Sequence, residues 1–209
     1  MEEKLYIQRW VTLRQRVLSI DGAVVCKGAP AAFAPEFFVE IYKFLEINYM
    51  RFFKMDNLSK TLFLSAEALL KDSGLTSADG DAQVALALYN SHSSLDTDKQ
   101  FQATIQSDAF FPSPSLFIYT LPNIALGEVA IRNRFMGENC TFIASNFDTE
   151  HCIKHVKTLI NSKKYNHVIC GWFDFLDDRE EADLFLVSHS ITNKIFDINN
   201  LEKCTRWKS

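Results

Sequence analysis

The chain has 209 residues, 47% hydrophobic and 23% charged, with a formal net charge of −4. It is long enough for a substantial core, and it lacks the basic excess that phosphate contacts demand, which argues against a nucleic-acid binder. No apolar run reaches the roughly 20 residues of a membrane span. MEEKLYIQRW has no signal-peptide pattern, and five widely spaced cysteines (Cys26, Cys140, Cys152, Cys170, Cys204) form no C-x-x-C, so reduced thiols in a cytoplasmic protein are expected.

Residues 4–17, with Leu5, Ile7 and Trp10, read as a first strand. DGAVVCKGAPAAFAP, rich in small residues, Gly and Pro, reads as an irregular loop. Pro35 opens a helix through PEFFVEIYKFLEIN, with Phe38, Ile41, Phe44 and Leu45 on one face. Asp56 or Asn57 caps a second helix, in which Leu58, Leu62, Ala66, Leu69 and Leu70 recur at helical spacing and Gly74 supplies the stop.

DAQVALALYNS is a buried strand, and SSLDTDKQFQATIQS a short helix capped by Ser94 or Asp96. After the punctuation of residues 110–114, Pro122 begins a helix carrying Ile124, Leu126, Val129 and Ile131. Its mid-helix Gly127 costs about 1 kcal/mol against Ala, which predicts a close backbone approach there. NCTFIASNF is a strand, Asp148 or Thr149 caps the helix TEHCIKHVKTLINSKK, and NHVICGWFDF is another strand. DDREEAD reads as a solvated turn before the final strand LFLVSHSI, and the polar tail extends a strand around residues 194–198. The alternation predicts an α/β fold: a mainly parallel, five-stranded mixed sheet with helices on both faces, residues 1–209 forming one domain.

Several constellations bear on chemistry. His151 and His155 stand at i and i+4 beside Cys152, a spacing that lets two imidazoles share a metal. No third ligand has matching spacing, so an exposed helix face is the expected reading and no metal or cofactor is assigned. The acidic run 174–183 is read as solvated rather than cation-binding. Ser91-His92-Ser93-Ser94, Ser113 and Ser115 are read as turns and caps, since sequence neighbours rarely form a catalytic triad. There is no G-x-S-x-G, Walker loop or G-x-G-x-x-G.

Four segments, in order, carry a resemblance. FFKMDNLSKTLFLSAEALLKDSGL, DAQVALALYNSHSSLDTDKQFQATI, PSPSLFIYTLPNIALGEVAIRNRFMGENCTFIAS and TEHCIKHVKTLINSKKYNHVICGWFDF resemble the N-terminal half of β-ketoacyl synthases, of the thiolase-like superfamily, over roughly residues 50–190. Short stand-alone proteins of aryl-polyene or flexirubin-type pigment pathways are the nearest variants, with similar Ser-Leu-Asp-Thr-Asp and Pro-Ser-Pro-Ser runs. The resemblance implies a thiolase-like half-domain.

Two departures accompany it. Setting Gly137-Glu138-Asn139-Cys140-Thr141 on the family's turn and strand puts Asn146 where the catalytic cysteine belongs, and an amide does not attack a thioester. Cys140 comes six residues too early; Cys152, inside the helix, is the alternative nucleophile under a shifted register. None of His92, His151, His155, His167 or His189 stands in the family's histidine motifs, which belong to a second half that this chain is expected to lack. In the helix after Asn146, Ile153, Val156, Leu159 and Ile160 form a stripe opposite Lys154, Lys157, Asn161 and Lys163, so one side is expected to face water or a polar partner.

These features imply a non-condensing partner or scaffold subunit, akin to chain-length-factor subunits, in fatty acid or polyketide synthesis on an acyl carrier protein. Residues 137–146 would form the interface to a ketosynthase subunit or a second copy. An active synthase or acyltransferase with an unconventional nucleophile, and an acyl-chain binder exploiting the 18 Phe residues, are the alternatives.

Overall fold

The computed structural model describes residues 4–29, 31–75, 83–105 and 112–205. One sheet runs through them in the order β3-β2-β1-β7-β6-β4-β5. Its members are β1 (Tyr6–Arg14), β2 (Val17–Ile20), β3 (Ala23–Lys27), β4 (Val84–Asn90), β5 (Asn139–Ile143), β6 (His167–Leu176) and β7 (Arg179–Ser188). The helices are α1 (Ala34–Phe44), α2 (Asn57–Leu70), α3 (Leu95–Ile105), α4 (Pro114–Ile118), α5 (Ile124–Asn133), α6 (Thr149–Asn161) and α7 (Ile198–Cys204), with a 3₁₀ turn at Met50–Lys54.

The α/β class and the mixed sheet with helices on both faces agree with the sequence. The sheet, however, has seven strands rather than five, and only β4–β5 and β4–β6 pair in parallel. The two extra strands come from the N-terminal region. The expected single strand turns at Gln15 and Arg16, both at positive φ, and Val17–Ile20 returns as β2; Asp21-Gly22 turns again into β3, inside the stretch expected to be a loop.

The acidic segment is also not a solvated turn. Asp177 and Asp178 alone, both at positive φ, make a two-residue hairpin loop between paired Leu176 and Arg179. Glu180 and Asp183 are buried on β7 and paired with Arg16 and Arg14. Asp178 accepts from the Ala34 backbone amide at 2.8 Å, fastening the start of α1 to the hairpin tip. In the tail, the expected strand is one bridge between Tyr6 and Ile195, followed by α7, whose cap Asp197 accepts from the Asn200 amide at 2.8 Å.

Period-two alternation divides the core. Val84, Leu86 and Leu88 of β4, with Ile169, Phe173 and Phe175 of β6, face α1, α2 and α5. Ala85, Ala87 and Tyr89, with Val168, Cys170 and Trp172, face α6 and α7. Most Phe side chains pack in these layers, among them Phe37, Phe38, Phe52, Phe63, Phe173 and Phe185.

Helix α2 is buried on nearly all sides between the sheet and its flanking helices, and Asp56 caps it by accepting from the Ser59 amide at 2.9 Å. Helix α6 buries Cys152, Val156, Leu159 and Ile160 and leaves Lys154, Asn161 and Lys163 exposed, the one-sided helix expected. A Cβ on Gly127 meets nothing within 4 Å, so no close approach explains that glycine; the close approaches are at Gly137 and Gly171. The expected extension of α3 beyond residue 105 and the punctuation at residues 110–111 lie outside the described residues. Among the described residues, no helix is long and apolar enough to cross a membrane.

Candidate functional site

The connection leaving β4 carries α5 to one face of the sheet, while the connection leaving β5 carries α6 to the other. Where adjacent parallel strands send their connections to opposite faces, a crevice opens beyond their C-terminal ends. Here it is a cleft of about 470 Å³, lined by Ser91 and His92 after β4, Ser145 and Asn146 after β5, Trp172 and Asp174 on β6, and Arg179 and Glu181 on β7.

Each wall is built by its local sequence. The Asn90 side chain, fully buried, donates to the Ser93 carbonyl at 3.1 Å and accepts from the Ser93 amide at 3.0 Å, closing a tight turn that projects Ser91 and His92. The Asn90 carbonyl accepts from the Ala144 amide at 2.9 Å, tying this turn to the end of β5. Asn146 is exposed in the bend that follows, before Asp148 caps α6 by accepting from the His151 amide at 2.8 Å. Asp174 enters from below, 5% exposed, at the end of an otherwise apolar strand.

The Asp174 carboxylate is the convergence point. Its Oδ2 accepts from Ser91 Oγ at 2.6 Å and lies 2.6 Å from His92 Nδ1, while Oδ1 accepts from the Phe175 amide at 3.0 Å. Ser91 Oγ and His92 Nδ1 are 2.9 Å apart. A carboxylate on Nδ1 fixes the imidazole tautomer and leaves Nε2 as the basic atom, the arrangement of an oriented acid/base. The serine, however, hydrogen-bonds to the carboxylate and sits on the Nδ1 side. A nucleophile–base relay requires the hydroxyl on the opposite nitrogen, so this cluster does not activate Ser91.

The sequence reading of Ser91–Ser94 as a turn holds for the backbone but misses the meeting with Asp174, 82 residues from His92. The available signal was a lone carboxylate in the apolar run Val168–Leu176. Ser113 Oγ caps α4 as expected, whereas Ser94, expected to cap α3, instead donates its hydroxyl to the Thr120 carbonyl at 2.7 Å.

No thiol lines the cleft among the described residues. Cys152 is fully buried on the inner face of α6, its thiol against Cys170, away from solvent. Cys140 lies on β5 and faces the outer side of α6, beside Glu138 and His155. Two further metal-capable side chains therefore approach His155, though not His151, which sequence spacing could not reveal. His151 Nδ1 is 2.5 Å from the Tyr89 hydroxyl. Burial pushes the Tyr89 phenol well above its ordinary range, so the hydroxyl keeps its proton.

No protein-family model and no curated protein matches the chain. Solved structures do. The ishigamide ketosynthase/chain length factor superposes with a TM-score of 0.69 at 15% identity, over 91% of this chain and 64% of that one. The ketosynthase ApeO in complex with its chain length factor ApeC, from Xenorhabdus doucetiae, gives 0.61 at 13% identity, over 88% of this chain and 79% of that one. A β-ketoacyl synthase from Burkholderia phymatum STM815 gives 0.62 at 10% identity, over 89% of this chain and 59% of that one. The chain thus has the fold of ketosynthases and chain length factors, and spans 64% of the length of the first of them.

Proposed function

We propose that this chain is a ketosynthase-like, non-condensing partner or scaffold subunit in fatty acid or polyketide synthesis on an acyl carrier protein, with residues 1–209 as one domain and an aryl-polyene-type product as the favoured class. The observation that carries the proposal is the cleft. The crevice beyond β4 and β5 of this ketosynthase-like fold is lined by Ser145 and Asn146 and, among the described residues, by no cysteine. Acyl transfer to a condensing enzyme needs a thiolate, and neither Asn146 nor a cysteine sealed beneath α6 supplies one at the cleft.

The partner surface is the free edge of β5. Among the described residues this strand pairs only with β4, leaving the outer row of its backbone groups for a further strand. Ile131, Met136 and Ile143, on α5, after it and on β5, are exposed apolar residues on the elements flanking that edge. A ketosynthase subunit is the favoured occupant, with a second copy of the chain as the other outcome.

Light scattering on a size-exclusion column, with and without a candidate ketosynthase subunit, tests this. A defined complex that is lost on Ile143→Lys is expected; a strictly monomeric chain that binds neither overturns it. A second reading, an active synthase or acyltransferase, draws on the oriented His92–Asp174 pair in the same cleft. Intact mass after incubation with an acyl thioester separates the two: no adduct is expected, and a stable adduct lost on Cys152→Ala reverses the assignment. The acyl-chain binder has less support, because the phenylalanines are spent on the core.

A further inference from the structure

On the outer side of β5 a second cluster stands apart from the cleft. Glu138, Cys140 and Phe142 alternate along one face of the strand, opposite His155 and His151, one turn apart on α6. The ligating atoms of Glu138, Cys140 and His155 all lie within 4.8 Å of one another. Cys140 Sγ donates to Glu138 Oε1 at 3.3 Å. His155 Nε2 is closed off from solvent and has no hydrogen-bond partner. Its ring is held edge-on by Phe142, centroids 5.1 Å apart, and lies parallel to His151 at 6.2 Å.

An orphaned buried nitrogen is costly to a fold, typically about 1–3 kcal/mol, and calls for a partner. The geometry points to a zinc site built from Glu138, Cys140 and His155, with a fourth position open to water. Thiolate, imidazole and carboxylate together form a borderline donor set that suits Zn²⁺, whereas Mg²⁺ and Ca²⁺ want oxygen alone. Bond lengths of roughly 2.0–2.3 Å put tetrahedral ligands about 3.3–3.8 Å apart, so the three atoms must draw in by about an ångström. Glu138, exposed on a flexible side chain, has the freedom to do so. Binding displaces the Cys140 proton and gives His155 Nε2 its missing partner. The ion ties the edge strand β5 to α6 through ligands that share residues 137–146 with the proposed partner surface, so the site is tested on the chain alone, where the subunit role is not read.

Cobalt titration of the metal-free full-length chain tests the site, because a thiolate ligand adds a sulfur-to-cobalt charge-transfer band that imidazole and carboxylate cannot give. One Co²⁺ per chain with that band is expected, displaced by Zn²⁺. Cys140→Ser abolishes the band, Cys204→Ser keeps it, and His155→Asn weakens Zn²⁺ binding by more than about 100-fold, beyond the 10–100-fold typical of an outer-shell change. Far-ultraviolet circular dichroism checks the fold of each variant, and Glu138→Gln on the exposed side provides a third, least disruptive substitution, expected to weaken binding. Absence of the charge-transfer band in wild type, or its survival in Cys140→Ser, overturns the site.

Discussion

Gly171→Ala probes the junction of the two strands that support the cleft. Gly171 has φ +135°, and a Cβ built on it lies 2.0 Å from the Asp183 carbonyl oxygen and 3.2 Å from Leu184 Cα. Both are backbone atoms of β7, directly paired with β6 at this point, so no side chain can swing aside. An L-residue in this region of φ costs about 1–3 kcal/mol. Forcing a methyl group against a packed backbone adds about 1–3 kcal/mol more. The expected loss is therefore roughly 2–6 kcal/mol of a total near 5–15 kcal/mol. The unfolding entropy for a chain of this length is about 0.4 kcal/mol/K, which converts the loss into a fall in Tm of about 5–14 °C. Differential scanning calorimetry on wild type, Gly171→Ala and Gly127→Ala reads it out. Gly127 is the control, since its Cβ meets nothing and alanine there should stabilise the helix by about 0.5–1 kcal/mol. A Gly171→Ala protein that melts within about 2 °C of wild type would refute the argument.

Other expectations follow from the same contacts. Gly137→Ala places a Cβ 2.1 Å from the Val84 carbonyl and should loosen β5 from β4, seen as faster amide exchange in β5 than in wild type. Asp56→Ala removes the cap of α2 and the acceptor of the Thr97 hydroxyl at 2.7 Å, and should cost about 1–2 kcal/mol in urea unfolding. Burial pushes the His167 imidazole below its ordinary value of 6.5. The unfolded chain then takes up this proton before the folded one, so His167 contributes stability that is intact above pH 6.5 and lost as pH falls toward the depressed folded value. Unfolding free energies measured across that window should therefore fall more steeply for wild type than for His167→Asn; parallel profiles would exclude the effect.

The central strands were legible because they are apolar on both faces. Val84–Leu88, the strand from His167 and the capped helices at Asp56 and Asp148 stand near where periodicity and caps put them. The N-terminal meander was not. Val17–Lys27 is half-exposed at the sheet's edge; from Asp21 its Gly and small residues read as loop, and only the pairing of β2 with β1 and of β3 with β2 makes it strand. The acidic run misled for a related reason: Glu180 and Asp183 are buried only because Arg16 and Arg14, far away in sequence, come to neutralise them. At the site, the bend at Asn146 and the inaccessibility of Cys152 agree with the strand–helix pattern. The meeting of His92 with Asp174, and of His155 with Cys140, belongs to the parallel order of β4, β5 and β6. Local spacing carries no record of that order.

The position of β1 between β2 and β7 sets a condition on how the protein is made. Tyr6 pairs with Ser188 and Arg14 with Glu181, so the meander has no neighbour on one side until residues 179–188 have left the ribosome. At about 5–20 residues per second, that edge waits roughly 10–30 s for its partner. Through that interval Val11 and Leu13, fully buried in the finished fold, have no β7 to pack beside. The sheet then closes by joining β1 to β7 across the 164 residues between Arg14 and Arg179. Nascent chains stalled before residue 179 therefore lack the strand that completes the sheet, and are the species most in need of a chaperone.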